Sequence, residues 1–288
     1  MRLTHGIHAS ALMAAFLSVQ PANAAPQRIV STFLCTDEYV FRLVPRARIA
    51  ALSFLAADTH PIVSTIRDQV KGIPLTRGSA EEVMSLNPDL VVMYRGTNPR
   101  LKAQLMESHI PFVEVAWANS LADVRAVTRD LGASLGAPQR AAELIAKMDE
   151  ELADASSIAP RPAVRTLVYE PNGYANSGGL SDDIMHAAGL IDVASQMGQT
   201  RLGTIPVEAV VAAPPELLVL NAERDGAPSR GDLILRHPAL RALPRSTMVA
   251  GAILTPLLCP GPWSVDAAAP LARLGRAARK LASASSGP

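Results

Sequence analysis

Two similar stretches of sequence decide the fold. Residues 81–93 read EEVMSLNPDLVVM, and residues 208–220 read EAVVAAPPELLVL. Each begins with a glutamate on a short amphipathic segment and then places a proline before an acid and an apolar run. Because proline disfavours helix in the residue before it, the two helices should end at about Asn87 and Pro214. The apolar runs 90–93 and 217–220 are typical of strands covered on both faces.

The spacing of the two copies, 208 − 81 = 127 residues, is too long for a solenoid repeat and fits two lobes of related build. The 288 residues suffice for two α/β domains. Predicted strands and helices alternate along the chain, which favours parallel sheets. We therefore predict an α/β fold with two Rossmann-like lobes and a ligand cleft between them.

A single long helix is predicted between the lobes. Residues 138–155 contain no glycine, and their only proline is the first residue. A helix of this length spans about 27 Å, which is enough to bridge two lobes. The predicted organisation is a first lobe at 25–136, a connecting helix at 137–160 and a second lobe at 161–288.

The N-terminus is typical of an export signal. Arg2 supplies the positive start, residues 9–19 are apolar, and Ala22-Asn23-Ala24 forms a small-residue cleavage site. The mature chain is expected to begin at Ala25 and to be exported and soluble. The net charge of +1 gives no footprint for nucleic acid.

These features together resemble a known family. The export signal, the paired E-x6-P-[DE]-L copies and the lone central helix are similar to class III periplasmic substrate-binding proteins of ABC importers, in the branch that binds vitamin B12 and iron chelates. The resemblance implies a monomeric periplasmic protein, neither enzyme nor cofactor carrier, that delivers cobalamin, a ferric siderophore or haem. It implies a cleft at the carboxyl ends of the strands and only small hinge motion.

The resemblance also implies two residues that contact the partner permease. Glu81 and Glu208 match the family positions that dock onto arginines of the inner-membrane permease. Carboxylates on two symmetric lobes can meet a two-fold symmetric transporter, where they would set register and steer association. Both also suit the first turn of a helix, where the dipole favours negative charge.

The predicted ligand contacts lie in loops expected at the cleft. They are Cys35, Thr36, Phe54, His60, Arg77, Tyr94, Arg95, Tyr174, Arg201, Cys259 and Trp263. Tyr94 could stack on a flat ligand, and the three arginines would suit an anionic chelate. Tryptophans that the B12-binding members carry before each docking helix are absent, so cobalamin remains one candidate among several.

A bare metal site is not predicted. The mature chain has four histidines (His60, His109, His186 and His237), and only His60 lies in a predicted cleft loop, whereas Zn²⁺ needs several converging ligands. For Cys35 and Cys259 three interpretations stay open: a disulfide that ties the lobes, free buried thiols, or contact with a soft metal.

Two other functions are compatible with parts of the sequence. A periplasmic scavenger or sensor of metal ions or chelates would share the fold without needing the symmetric glutamates. An exported hydrolase is disfavoured because neither G-x-S-x-G nor H-E-x-x-H occurs. The glycine-rich loop at 173–181 lacks the lysine of a phosphate loop, which argues against ATP, although its N–H groups could still face an anion.

Overall fold

The structure is a computed structural model that describes residues 25–59, 63–199, 202–221 and 230–285. The predicted export signal, 1–24, lies outside this range. Among the residues described, no helix is both long and apolar enough to cross a membrane.

The first lobe is a five-stranded parallel sheet with helices around it. Its strands have the order β3-β2-β1-β4-β5. They are β1 Ile29–Ser31, β2 Ile49–Ser53, β3 Leu75–Thr76, β4 Leu90–Tyr94 and β5 Phe112–Val115. The helices are α1 Leu34–Leu43, α2 Ala80–Ser85, α3 Pro99–Glu107 and α4 Leu121–Ser134.

The chain then enters a 20-residue helix, α5 Pro138–Ser157. Ala141 of α5 belongs to the hydrophobic core of the first lobe, whereas Met148, Leu152 and Ala155 belong to that of the second. One apolar stripe on a single helix therefore packs against both lobes, as a connecting helix must.

The second lobe is built on a four-stranded parallel sheet of order β11-β10-β6-β8. Its strands are β6 Val164–Tyr169, β8 Leu190–Asp192, β10 Leu217–Asn221 and β11 Met248–Ala252. A small antiparallel pair joins β7 Tyr174–Ala175 to β9 Gly203–Thr204. The helices are α6 Leu180–Ala187, α7 Val207–Ala212, α8 Pro238–Arg241 and α9 Ala268–Ser285. The predicted α/β fold with two lobes and parallel sheets is confirmed.

The repeated stretches form the predicted unit of a short helix followed by a buried strand. α2 leads into β4 and α7 leads into β10, and both strands are buried along most of their length. Each helix ends two residues before the predicted position. The cause is local, because Asn87 has φ 46° and Ala213 has φ −132°, so the turn ahead of the prolines is already non-helical.

Helix α1 differs from the prediction at its start. The sequence favours Thr36 as the cap of a helix that begins at Asp37, but α1 begins at Leu34 after an extended Phe33. Thr36 is buried inside the first turn, where its hydroxyl donates to the carbonyl of Phe33 at 2.8 Å. Because the Thr36 hydroxyl has this local hydrogen-bond partner, the residue can lie within the first turn and need not be the N-cap.

Candidate ligand-binding cleft

Trp117 stands on the first lobe's wall of a cleft between the lobes. It lies two residues after the end of β5, and it is 48% exposed. The ring meets Tyr94 edge-on at a centroid distance of 5.9 Å, and Tyr94 stacks on Phe33 at 5.2 Å. Burial raises the pKa of the Tyr94 hydroxyl, so Tyr94 contributes a neutral ring. An exposed indole supported from behind by two rings is suited to the flat face of a ligand.

Two adjoining cavities occupy the cleft. The first has a volume of about 490 Å³ and lies between Trp117 and residues of the second lobe such as Leu202 and Pro260. The second has a volume of about 420 Å³ and is lined by residues of the second lobe alone, with Tyr174 in its wall. The residues that line both cavities are Asn176, Ser181, Leu202 and Leu257. Cavities of this size are typical of small-molecule and cofactor sites.

Two glycines shape the turn that enters α6 at the first cavity. Gly178 and Gly179 have φ values of 83° and 75°, a region that L-residues with a Cβ avoid. A Cβ at Gly179 would also lie only 3.3 Å from the carbonyl oxygen of Asn119. This turn brings Asn176 and Ser181 within hydrogen-bond distance, 3.3 Å, on the cavity wall.

Glu170 supplies a carboxyl group to the second cavity. It follows β6, and its Oε1 accepts a long hydrogen bond of 3.5 Å from the side-chain amide of Asn221. The amide orientation is fixed, because the Asn221 oxygen accepts from the backbone N–H of Leu254 at 3.1 Å. Burial raises the pKa of Glu170, and the Asn221 bond opposes this only in part.

Acidic residues of α1 hold the neighbouring loop in place. Asp37 accepts from the backbone N–H of Ser53 at 3.0 Å and from the Ser53 hydroxyl. Glu38 accepts from the N–H of Thr65 at 2.9 Å and from its hydroxyl at 2.6 Å. The segment that begins at Phe54 is thus tied to α1 at both ends. Burial raises the pKa of Asp37 to about 7.

Behind the cleft, a segment of the second lobe enters the core of the first. Cys259 forms a disulfide with Cys35 of α1, with Cα atoms 4.9 Å apart, inside the range that a disulfide requires. Trp263 packs edge-on against Tyr39 at 4.8 Å, and the Arg42 guanidinium lies 4.5 Å above its ring. Of the three interpretations of the cysteines, the disulfide is the one that the structure contains.

Four predicted ligand contacts belong to this junction instead of the cleft surface. Cys35, Thr36, Cys259 and Trp263 are between 0% and 5% exposed. A ligand in either cavity would not reach these side chains, because they are enclosed by core residues of the first lobe. We expected the loops around them to open onto the cleft, but the contact between lobes covers them.

The other predicted contacts divide by position. Tyr174 lines the second cavity and is 41% exposed. Phe54 is exposed under the guanidinium of Arg77, 5.2 Å from its ring centre. Arg95 is exposed beyond β4 and lowers the pKa of Glu114, after larger contributions headed by Lys102. Neither arginine lines the two cavities.

Two predicted ligand residues, His60 and Arg201, lie outside the part of the chain that the structure describes. In the described ranges, no group of three or more His, Cys, Asp or Glu side chains is placed to hold a metal ion.

The sequence analysis missed three cavity residues that the structure brings forward: Trp117, Glu170 and Leu202. A signal existed for Trp117, since it is one of only two tryptophans and lies two residues after the end of a predicted strand. Glu170 could have been noticed as an acid at the end of an otherwise apolar strand. Leu202 carried no signal of its own.

The two proposed docking glutamates occupy equivalent places. Glu81 is the second residue of α2, and Glu208 is the second residue of α7, each helix having six residues. Both are exposed. Glu81 lies 3.7 Å from Arg100, in a pair exposed to solvent on both sides, and such pairs hold a side chain only weakly.

The chain belongs to the periplasmic binding protein family, whose profile matches residues 58–244. That family consists of solute-binding proteins, not enzymes. No curated protein matches this sequence significantly.

Solved structures share the fold over most of its length. The apo form of the periplasmic heme-binding protein RhuT from Roseiflexus sp. RS-1 is 24% identical, with a TM-score of 0.67, and the match covers 88% of this chain and 98% of that one. The periplasmic vitamin B12 binding protein BtuF of Vibrio cholerae is 16% identical, with a TM-score of 0.65 and coverages of 89% and 99%. An ABC-type Fe³⁺-hydroxamate transport protein from Saccharomonospora viridis DSM 43017 is 21% identical, with a TM-score of 0.62 and coverages of 88% and 93%.

Proposed function

We propose that this protein is a periplasmic solute-binding protein, not an enzyme, that delivers a metal chelate to an ABC importer. The chelate classes are corrinoids, ferric siderophores and haem. Similar folds are described as binding heme and vitamin B12 or as serving Fe³⁺-hydroxamate transport. Their low identity leaves the choice among these ligands to the residues of this chain.

The observation that carries the proposal is the cavity between Trp117 and the second lobe. It is about 490 Å³ in volume and adjoins a second cavity of about 420 Å³, so the space suits a ligand larger than a free metal ion. Its walls combine an exposed indole with Leu202, Leu257 and neutral amides. Chelates that enclose their metal present an apolar rim and a few polar groups, which matches such a lining.

Export supports the same function. The signal at 1–24 is expected to be removed after Ala24, and the disulfide between Cys35 and Cys259 is a bond that persists in an oxidising compartment such as the periplasm. The protein would then bind its ligand as a monomer outside the inner membrane.

A direct test is native mass spectrometry of protein purified from the periplasm without refolding, together with an absorbance scan. We expect a bound mass of one chelate per chain, with visible absorption if the ligand is a corrinoid, haem or coloured ferric complex. Titration of the empty protein with the three classes of chelate completes the test. Failure of all three to bind at micromolar concentration would contradict the proposal.

Docking to a permease is tested separately by the double variant Glu81→Ala/Glu208→Ala. We expect loss of ligand uptake in cells while the purified variant binds its ligand as before, because exposed carboxylates set register with the partner and add little stability. Glu107→Ala, an exposed glutamate at the end of α3, is the matched control. Undiminished uptake by the double variant would contradict the docking role of the two glutamates.

A further inference from the structure

Glu170 is the only acidic or basic residue among the described residues that line the two cavities. The remaining lining is apolar side chains, glycines, hydroxyls and amides, with the phenol of Tyr174. The arginines Arg77 and Arg95 lie elsewhere, against Phe54 and near Glu114 respectively. The cleft therefore presents a carboxylate to its ligand, and the described part of its lining contains no cation.

The local surroundings leave this carboxylate under-compensated. Among the described residues its carboxylate has one hydrogen bond, from Asn221 to Oε1, which is long at 3.5 Å, and none of them donates to Oε2. Burial raises the pKa of Glu170, and no cation among the described residues contributes to lower it. A partly buried carboxylate without a counter-charge is costly unless a donor or cation arrives to pair with it.

The orientation of the Asn221 side-chain amide also keeps Glu170 an acceptor. Since Asn221 accepts from Leu254 through its oxygen, its amide nitrogen is committed to Glu170 and cannot turn an acceptor toward it. Glu170 thus remains a hydrogen-bond acceptor at the cavity wall. The described residues use only part of the accepting capacity of its carboxylate.

We propose that Glu170 makes the cleft selective for metal chelates of neutral or positive net charge that present an ammonium or N–H group to it. This inference rests on the proposed function and names the class of chelate within it. It differs from the expectation of an anionic chelate held by Arg77, Arg95 and Arg201, of which Arg201 lies outside the described residues. A polyanionic chelate would meet Glu170 with like charge inside a partly buried site.

The test uses a matched pair of ferric trihydroxamates. Ferrioxamine B carries a free ammonium group, and its N-acetylated form has the same metal centre without that charge. A ferric tris-catecholate supplies the anionic comparison. Dissociation constants are measured by fluorescence titration of the wild-type protein, Glu170→Gln and Glu107→Gln, an equal change of charge on the outer surface.

We expect wild-type protein to bind the ammonium chelate at least about tenfold more tightly than the acetylated one, as a charge-assisted hydrogen bond would provide. Glu170→Gln should abolish this preference, so that the two hydroxamates bind with equal affinity, whereas Glu107→Gln should keep it. The preference should also fall on acidification as Glu170 becomes protonated.

The comparison of chelates in wild-type protein is decisive even if Glu170→Gln folds poorly. Equal affinity for the two hydroxamates, or tighter binding of the tris-catecholate, would overturn the selectivity while leaving the chelate-binding function intact. Binding of none of these probes, nor of a corrinoid or haem, would overturn the proposed function and the selectivity together.

Discussion

The chain's two tryptophans mark two opposite kinds of contact between the lobes. Trp263 is 4% exposed and sits in the junction beside the disulfide, whereas Trp117 is 48% exposed and faces an open cavity. The junction is closed by covalent bonding and core packing. In the cleft, along the same boundary, aromatic and amide side chains face a cavity.

The two contacts show how one boundary between lobes can be rigid and still contain a ligand site. The helix α5, the Cys35–Cys259 bond and the inserted Trp263 connect the lobes at three places. A boundary held in this way restricts hinge motion, so the cleft is expected to be largely formed before ligand arrives. A preformed site saves the free energy of ordering its walls on binding.

The largest expected effect comes from breaking the junction at Trp263. Trp263→Ala removes a buried ring from contact with Tyr39 and Arg42, which should lower the free energy of unfolding by about 3–5 kcal/mol. The same truncation at exposed Trp117 should cost under about 1 kcal/mol. Urea unfolding of both variants measures this contrast, and equal losses would contradict the assignment of one ring to the core and the other to the cleft.

Asp37 provides the next test, through pH. Burial raises its pKa to about 7 from the ordinary value of 3.8, so the folded protein holds a proton there that the unfolded chain releases above about pH 4. The stability gained from this proton is full below that pH and is lost as pH rises through 7. The change is on the order of 4 kcal/mol.

Asp37→Asn removes this titration. Its free energy of unfolding relative to wild type should therefore rise between pH 4 and pH 8, while exposed Asp68→Asn should show no such trend. Denaturant unfolding across this pH range is the measurement. A constant difference between Asp37→Asn and wild type would show that the carboxyl group is not held neutral by burial.

Removing the disulfide should have a somewhat smaller effect. Cys35→Ser/Cys259→Ser frees a bond between residues separated by 224 positions, and such cross-links typically contribute about 2–4 kcal/mol. Ligand affinity should fall as well, because the walls of the cleft must then be ordered on binding. Urea midpoints and ligand titration check both expectations, and an unchanged midpoint would mean that α5 and Trp263 hold the lobes without it.

The smallest expected effect concerns the cleft itself. Trp117→Ala should weaken chelate binding by about 1–2 kcal/mol, the value of one aromatic contact with its buried area, with little change in stability. Trp117→Phe should restore part of the affinity. Full affinity in the alanine variant would place the ligand away from this wall.

Local rules explain what the sequence could predict. A proline ahead of an apolar run marks the end of a helix and the start of a buried strand, so α2 with β4 and α7 with β10 were readable without the structure. The α5 helix could be predicted for a different local reason, because no glycine or internal proline interrupts it.

The residues that line the cleft could not be predicted from local sequence, because they depend on tertiary contacts between the lobes. Cys35 and Cys259 lie 224 residues apart, and nothing in the sequence of either fixes their distance. Residues expected to touch ligand, such as Trp263, are covered by the contact between lobes. Leu202 and Trp117 line one cavity only because two lobes bring them together, and sequence periodicity within either lobe does not reveal that.

The most direct test of the account is the fluorescence of Trp263→Phe, in which Trp117 is the only remaining tryptophan. Titration with a corrinoid, haem and a ferric hydroxamate should produce saturable quenching at one chelate per chain for at least one of them. Trp117→Phe should bind that same chelate more weakly, by its absorbance. Absence of saturable quenching with every chelate would contradict the claim that this cleft is the ligand site.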